Sequence, residues 1–193
     1  MGGIVTFQAA NFLTIDECKK CNKEEPYITY KNLTDEFRAQ YETQFETLKN
    51  LDANKLKSLK SKNYTNFTKL STQTNDLNIH LTAKLFQQKQ FFKIIENLVH
   101  CIQQKCHIKK KSKLKNSIEM GILEFSDITK NKNQQESKVV KQGLLKLAKI
   151  LNLDITEINK ISNNLKKLKK SIKNQKLKTG KPLKNHSKTQ KNY

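Results

Sequence analysis

Five glycines and two prolines are spread over 193 residues. Tight turns lean on these two residue types, so a chain this poor in them has little means of reversing direction often. Many-stranded sandwiches and barrels need such reversals every 8–12 residues or so. Long helices do not, and the expected fold class is all-α. Hydrophobic residues make up 35% of the chain, a low share for a globular protein, so the core is not expected to run through its whole length.

The apolar spacing then divides the chain. Residues 1–30 read as a docking segment (Ile4, Val5, Phe7, Phe12, Leu13) followed by a loop holding Cys18 and Cys21. From Asn32, the residues Leu33, Phe37, Tyr41, Phe45, Leu48, Leu56 and Leu59 recur at helical intervals and make one apolar face. Residues 61–76 are polar and rich in cap and turn formers, which suggests a connection. A second long helix is expected from about Asp76, with Leu81, Leu85, Phe92, Ile95, Val99 and Ile102 on one stripe, widened by Phe91, Ile94 and Leu98. Two amphipathic helices of similar length are expected to pair antiparallel, giving a hairpin over 31–107. A basic linker over 108–116, a small basic helical unit over 117–178 and a basic tail over 179–193 complete the expected organisation. Within that unit a short helix is expected near 117–128 and a loop over 129–136.

Charge is distributed unevenly. Residues 1–107 carry 15 basic and 11 acidic side chains, residues 108–193 carry 23 and 6, and no acidic residue follows Glu157. An AT-rich coding genome explains why 37 of the 38 basic residues are lysine, but not the imbalance between lysine and acid. Such a gradient is the electrostatic footprint of a protein that meets a polyanion. No apolar run approaches the roughly 20 residues that span a bilayer, and the start lacks the basic and apolar regions of a secretory signal. The chain is therefore expected to be intracellular, and nuclear if the polyanion is DNA. On that reading Asn-x-Thr triplets at Asn32, Asn63 and Asn66 have no meaning, and disulfides are not expected.

Residues 144–165, LLKLAKILNLDITEINKISNNL, resemble the helix-turn-helix motif of DNA-binding domains. Leu147 and Ala148 take the inner face of the first helix, with Ala148 small enough for a close crossing. Leu151 closes that helix. Asn152 stands where glycine is usual and tolerates a left-handed backbone. Leu153 packs under the turn, Asp154 or Thr156 caps the second helix, and Ile158 and Ile161 point inward. The resemblance implies that the second helix enters the major groove. Thr156, Glu157, Asn159, Lys160, Asn163 and Asn164 then face outward, where asparagine can pair with adenine and lysine with guanine. Lys166, Lys167, Lys169, Lys170 and Lys173, at the head of a stretch with 11 lysines in 28 residues, add sequence-independent phosphate contacts. Only Phe125 and Tyr193 are aromatic in the basic half, too few to stack single strands. With the helix-turn-helix resemblance, duplex DNA is the favoured partner, ahead of RNA.

The four cysteines fall in two pairs, Cys18-x-x-Cys21 and Cys101-x4-Cys106, the second flanked by His100 and His107. In an antiparallel hairpin both pairs reach the same end. Unbonded thiols are one expectation. The other is a structural zinc site made by Cys18, Cys21, Cys101 and Cys106, with His107 as the alternative ligand. On a continuous helix Cys101 and Cys106 would lie about 140° apart, so a shared ion requires the helix to end between them.

No catalytic motif is present. There is no nucleophile elbow, phosphate loop, dinucleotide fingerprint or His-Glu-x-x-His, and the carboxylates are scattered, so the chain is not read as an enzyme and requires no cofactor. Two other readings compete with nucleic-acid binding. The wide, Phe-rich stripe and the N-terminal segment suit a subunit docked on a protein partner. Met1-Gly2-Gly3-Ile4-Val5-Thr6 fits a myristoylation pattern, which with a polybasic patch would hold the chain at a membrane surface, though the basic segment lies far from it and a membrane role is the less favoured.

Overall fold

The computed structural model describes residues 18–106, 113–124 and 134–161, together with 163, 164, 167, 168 and 171. Among these residues there are helices and turns and no strand. A short 3-10 turn, Lys19–Cys21, precedes α1 (Glu25–Gln40), α2 (Glu42–Lys60), α3 (Tyr64–Phe86), α4 (Phe91–Lys105), α5 (Lys113–Glu124) and α6 (Gln134–Ile150). The chain is helical again over 155–161, designated α7. The expected docking segment, the lysine run at 109–111 and the whole basic tail over 179–193 lie outside the described residues.

α1 starts earlier than its apolar spacing suggested, because Pro26 stands in its first turn, where the missing N–H costs nothing and the fixed φ suits a helix. α1 and α2 follow one another with a break only at Tyr41, whose φ of −116° and ψ of 29° leave the helical region. The chain reverses over residues 61–63 and returns along α3 and α4, so that α2 packs on α3 and α1 packs on α4.

The reversal is much shorter than the connection expected over 61–76. Asn63 caps α3, its Oδ1 accepting from the Asn66 N–H at 3.0 Å. Thr68, Thr72 and Thr74 each donate their hydroxyls to the carbonyl four residues back, at 2.9, 3.1 and 2.7 Å. These side chains are weak helix formers because they compete for backbone groups. Here they bond within the helix, and the packing of α3 on α2 outweighs their propensity. At this end of the hairpin α2 turns Ser58 toward α3, where its buried hydroxyl accepts from Asn66 Nδ2 at 2.8 Å, and Leu56 and Leu59 are 54% and 58% exposed instead of lying on a buried stripe.

α4 carries the clearest amphipathic pattern and buries Phe91, Ile94, Ile95, Leu98, Val99, Cys101 and Ile102. Burial of each large side chain contributes roughly 1.5–3 kcal/mol before entropy is counted. α6 packs on α3, α4 and α5, so one buried cluster runs from Cys18 to Ile158. The closest approach is at Gly143 of α6, where a Cβ would lie 2.0 Å from Phe86 Cδ2 on α3. Phe86 also meets the rings of Phe91 and Phe92, with centroids 5.5 and 5.6 Å away. Two polar contacts tie the same helices together: His80 Nδ1 lies 2.8 Å from Glu136 Oε1, and Lys146 Nζ sits 5.0 Å from the Phe92 ring centroid.

Candidate functional site

α6 and α7 are joined by a turn whose geometry follows from its residues. The Leu153 N–H donates to the Ala148 carbonyl at 2.9 Å and the Asn152 N–H to that of Lys149 at 3.1 Å, the paired bonds of a Schellman C-cap. That cap needs a left-handed residue, and Asn152 supplies it with φ of 53°. α7 is then capped by Asp154, whose Oδ1 accepts from the Thr156 and Glu157 N–H groups at 2.9 and 3.1 Å. Of the two cap candidates, Asp154 is the one used. Leu147, Ala148, Leu151 and Ile158 are buried and anchor the turn to the core, with Leu153 packed against it. Ile161 departs from expectation. It is 44% exposed, because the buried cluster ends at Ile158, one turn earlier.

The outward side of α7 carries Thr156, Glu157, Asn159 and Lys160, all exposed, and Asn163, Asn164 and Lys167 are exposed beyond it. The side chains of Lys166, Lys169, Lys170 and Lys173 lie outside the described residues. Sequence reading passed over a second set of cations. Lys138, Lys146 and Lys149 are exposed on α6, with Lys141 half-buried beside them. At 100° per residue these four fall within an arc of about 140°. The acidic neighbour Glu136 is engaged by His80 rather than by these lysines. The signal was available: these lysines occupy positions left free by the buried stripe of Val140, Leu144, Leu147 and Ala148.

At the far end of the hairpin the four cysteines converge, and there the expectation of unbonded thiols is corrected. Cys18 is bonded to Cys106 and Cys21 to Cys101, with Cα–Cα distances of 6.0 and 6.2 Å. The expectation failed because it rested on an inferred compartment rather than on geometry. The hairpin brings an N-terminal turn against the end of α4, whatever the 80 and 88 residues between them do. α4 does end where a shared site would require: Cys101 is its eleventh residue, and Cys106 is the C-cap in extended geometry, φ −138° and ψ 146°. Hydrogen bonds from the Cys21 N–H to the Cys18 carbonyl and from the Glu24 N–H to the Cys21 carbonyl, 3.0 and 2.9 Å, hold the opposing turn. An ion pair between Lys105 and Glu24 closes over the cluster. In this bonded state no group of His, Cys, Asp or Glu among the described residues is arranged around a metal position. His107, the alternative ligand, lies outside the described residues.

No helix among the described residues is long and apolar enough to cross a membrane. Comparison with protein-family models, with curated proteins and with solved structures finds no match to this chain.

Proposed function

We propose that this chain is a non-catalytic nucleic-acid-binding protein that favours duplex DNA and serves as an accessory subunit of a larger nuclear complex. The observation that carries this reading is the exposed row Thr156, Asn159, Lys160, Asn163, Asn164 and Lys167. It follows an anchored turn and continues into a chain with no acidic residue after Glu157. Asparagine and lysine on one exposed helix are the side chains that read adenine and guanine edges in the major groove. Lys138, Lys146 and Lys149 on the preceding helix, and the lysines beyond residue 165, would hold the phosphates on either side. Binding needs no cofactor.

The test is an electrophoretic shift series with duplex DNA, duplex RNA and single strands over a salt gradient. Substituting Asn159, Lys160 and Asn163 together by alanine lowers sequence preference and leaves salt-sensitive binding largely in place. Deleting 166–193 weakens binding to every duplex and flattens the salt dependence by about 0.9 in slope for each phosphate that is no longer neutralised. Unchanged binding in both variants refutes the proposal.

A second reading has its own observation. Leu56, Leu59 and Tyr64 are 54, 58 and 80% exposed around the reversal of the hairpin. An apolar tip of this kind suits a protein partner, and a subunit of a complex would use both surfaces. The membrane-surface reading rests on residues 1–6, outside the described residues, and nothing described favours it.

A further inference from the structure

We propose that the four-cysteine cluster is a redox-dependent zinc site: cross-linked as two disulfides when oxidised, and holding one structural zinc ion through Cys18, Cys21, Cys101 and Cys106 when reduced. The inference stands on the cluster alone and does not depend on what the basic half binds.

Three observations carry it. First, both disulfides join the same turn to the same helix end, so reduction leaves four thiols at one place rather than two separated pairs. Second, the local backbone on each side already meets the demands of a shared ion. The Cys18–Cys21 pair sits on a hydrogen-bonded 3-10 turn, and α4 ends at Lys105 with Cys106 in extended geometry, so that Cys101 and Cys106 both reach that turn. A tetrahedral zinc with Zn–S bonds of about 2.3 Å holds its sulfurs about 3.8 Å apart. Rotation of the side chains reaches that spacing from Cα atoms 6.0 and 6.2 Å apart. Third, the charge is favourable. Among the described residues, Lys19, Lys20 and Lys23 are exposed around the turn and Lys105 lies across it, paired with Glu24, so that four cations stand near it against Glu24 and Glu25. Cations favour thiolate over thiol and offset the double negative charge of a tetrathiolate zinc centre. Cys18, Cys21 and Cys101 are buried, which excludes competing water ligands and makes the site structural.

The exchange balances. Two equivalents of a dithiol reductant supply four electrons and four protons, break both S–S bonds and become two disulfides themselves. Zinc(II) then forms four Zn–S bonds and releases the four thiol protons. Oxidation by a disulfide of the same class reverses each step and expels the ion.

The experiment uses the full chain. Protein reduced with a phosphine under argon is titrated with cobalt(II), and the visible bands of tetrahedral thiolate coordination are followed. One cobalt per chain is expected, displaced by one equivalent of zinc, and no band from the oxidised protein. In parallel, the reduced wild type is alkylated with and without zinc and weighed. Modification of all four cysteines without the ion and protection of all four with it is expected. The variant Cys18→Ala with Cys106→Ala, which retains the other cross-link for folding in its oxidised form, loses the tetrathiolate band on reduction. Absence of any band from the reduced wild type overturns the proposal, and so does a cobalt signal that survives in this variant. Alkylation that proceeds equally in zinc also overturns it.

Discussion

Removing the disulfides one pair at a time and then together tests how the two ends of the hairpin are held. In the chain-entropy account, a bond across an 80-residue separation stabilises the fold by about 4.5 kcal/mol, because it restricts the unfolded chain. The two bonds are nested and do not close independent loops. Once Cys21–Cys101 is made, Cys18–Cys106 closes a ring of only about ten residues, worth about 2.7 kcal/mol. Either bond alone therefore supplies most of the constraint that the two supply together. Cys18→Ala with Cys106→Ala, or Cys21→Ala with Cys101→Ala, is expected to cost about 2.7 kcal/mol. The quadruple variant is expected to cost about 7 kcal/mol, more than the two pair variants summed. For a chain of this size each pair variant lowers Tm by about 5–10 °C. The quadruple variant falls close to the limit of folding, since native stabilities are only about 5–15 kcal/mol. The measurement is urea unfolding of the oxidised proteins, with a chelator present, followed by helical circular dichroism. Two pair variants that each lose about 4.5 kcal/mol would refute the reasoning, because that is the result for bonds closing separate loops.

Gly143→Ala drives a methyl group into the edge of the Phe86 ring, 2.0 Å from Cδ2, and is expected to cost about 1–3 kcal/mol by urea unfolding. Phe86→Leu in the same chain should recover part of that loss, and no recovery would mean that the strain lies elsewhere. Asp154→Ala leaves the Thr156 and Glu157 N–H groups without their acceptor and is expected to cost about 1 kcal/mol, with faster amide exchange confined to α7. Asn152→Gly relieves a left-handed asparagine and is expected to leave stability unchanged or slightly raised. Asn152→Val at the same φ of 53° should destabilise clearly, and equal stability of the two would argue against the turn geometry.

Much of the helical content was legible because it is a local property. The stripe Phe92, Ile95, Val99 and Ile102, widened by Phe91, Ile94 and Leu98, announces α4, and all of these but the half-buried Phe92 are buried, although the single helix expected from Asp76 is broken between Phe86 and Phe91. The Ala148-Leu151-Asn152 pattern announces a helix end, and the backbone turns there with Asn152 left-handed. Misreadings arose where local preference and long-range packing disagree. The Thr- and Asn-rich stretch 64–76 looks like a connection when only propensity is weighed, yet it forms more than half of α3 because α2 lies along it. Leu56 and Leu59 fit the helical period and are nonetheless exposed, since periodicity specifies a face but not what covers it.

Amino-acid order alone determined the all-helical class, the lysine gradient and the face on which each helix is apolar, because these depend on neighbours within a few residues. Only the tertiary structure decided which cysteine meets which, that Gly143 must admit the Phe86 ring, and that α6 joins α3, α4 and α5 in one core. Those contacts join residues separated by dozens of positions. Such pairings are selected by how whole helices dock, a competition among surfaces that no local pattern encodes.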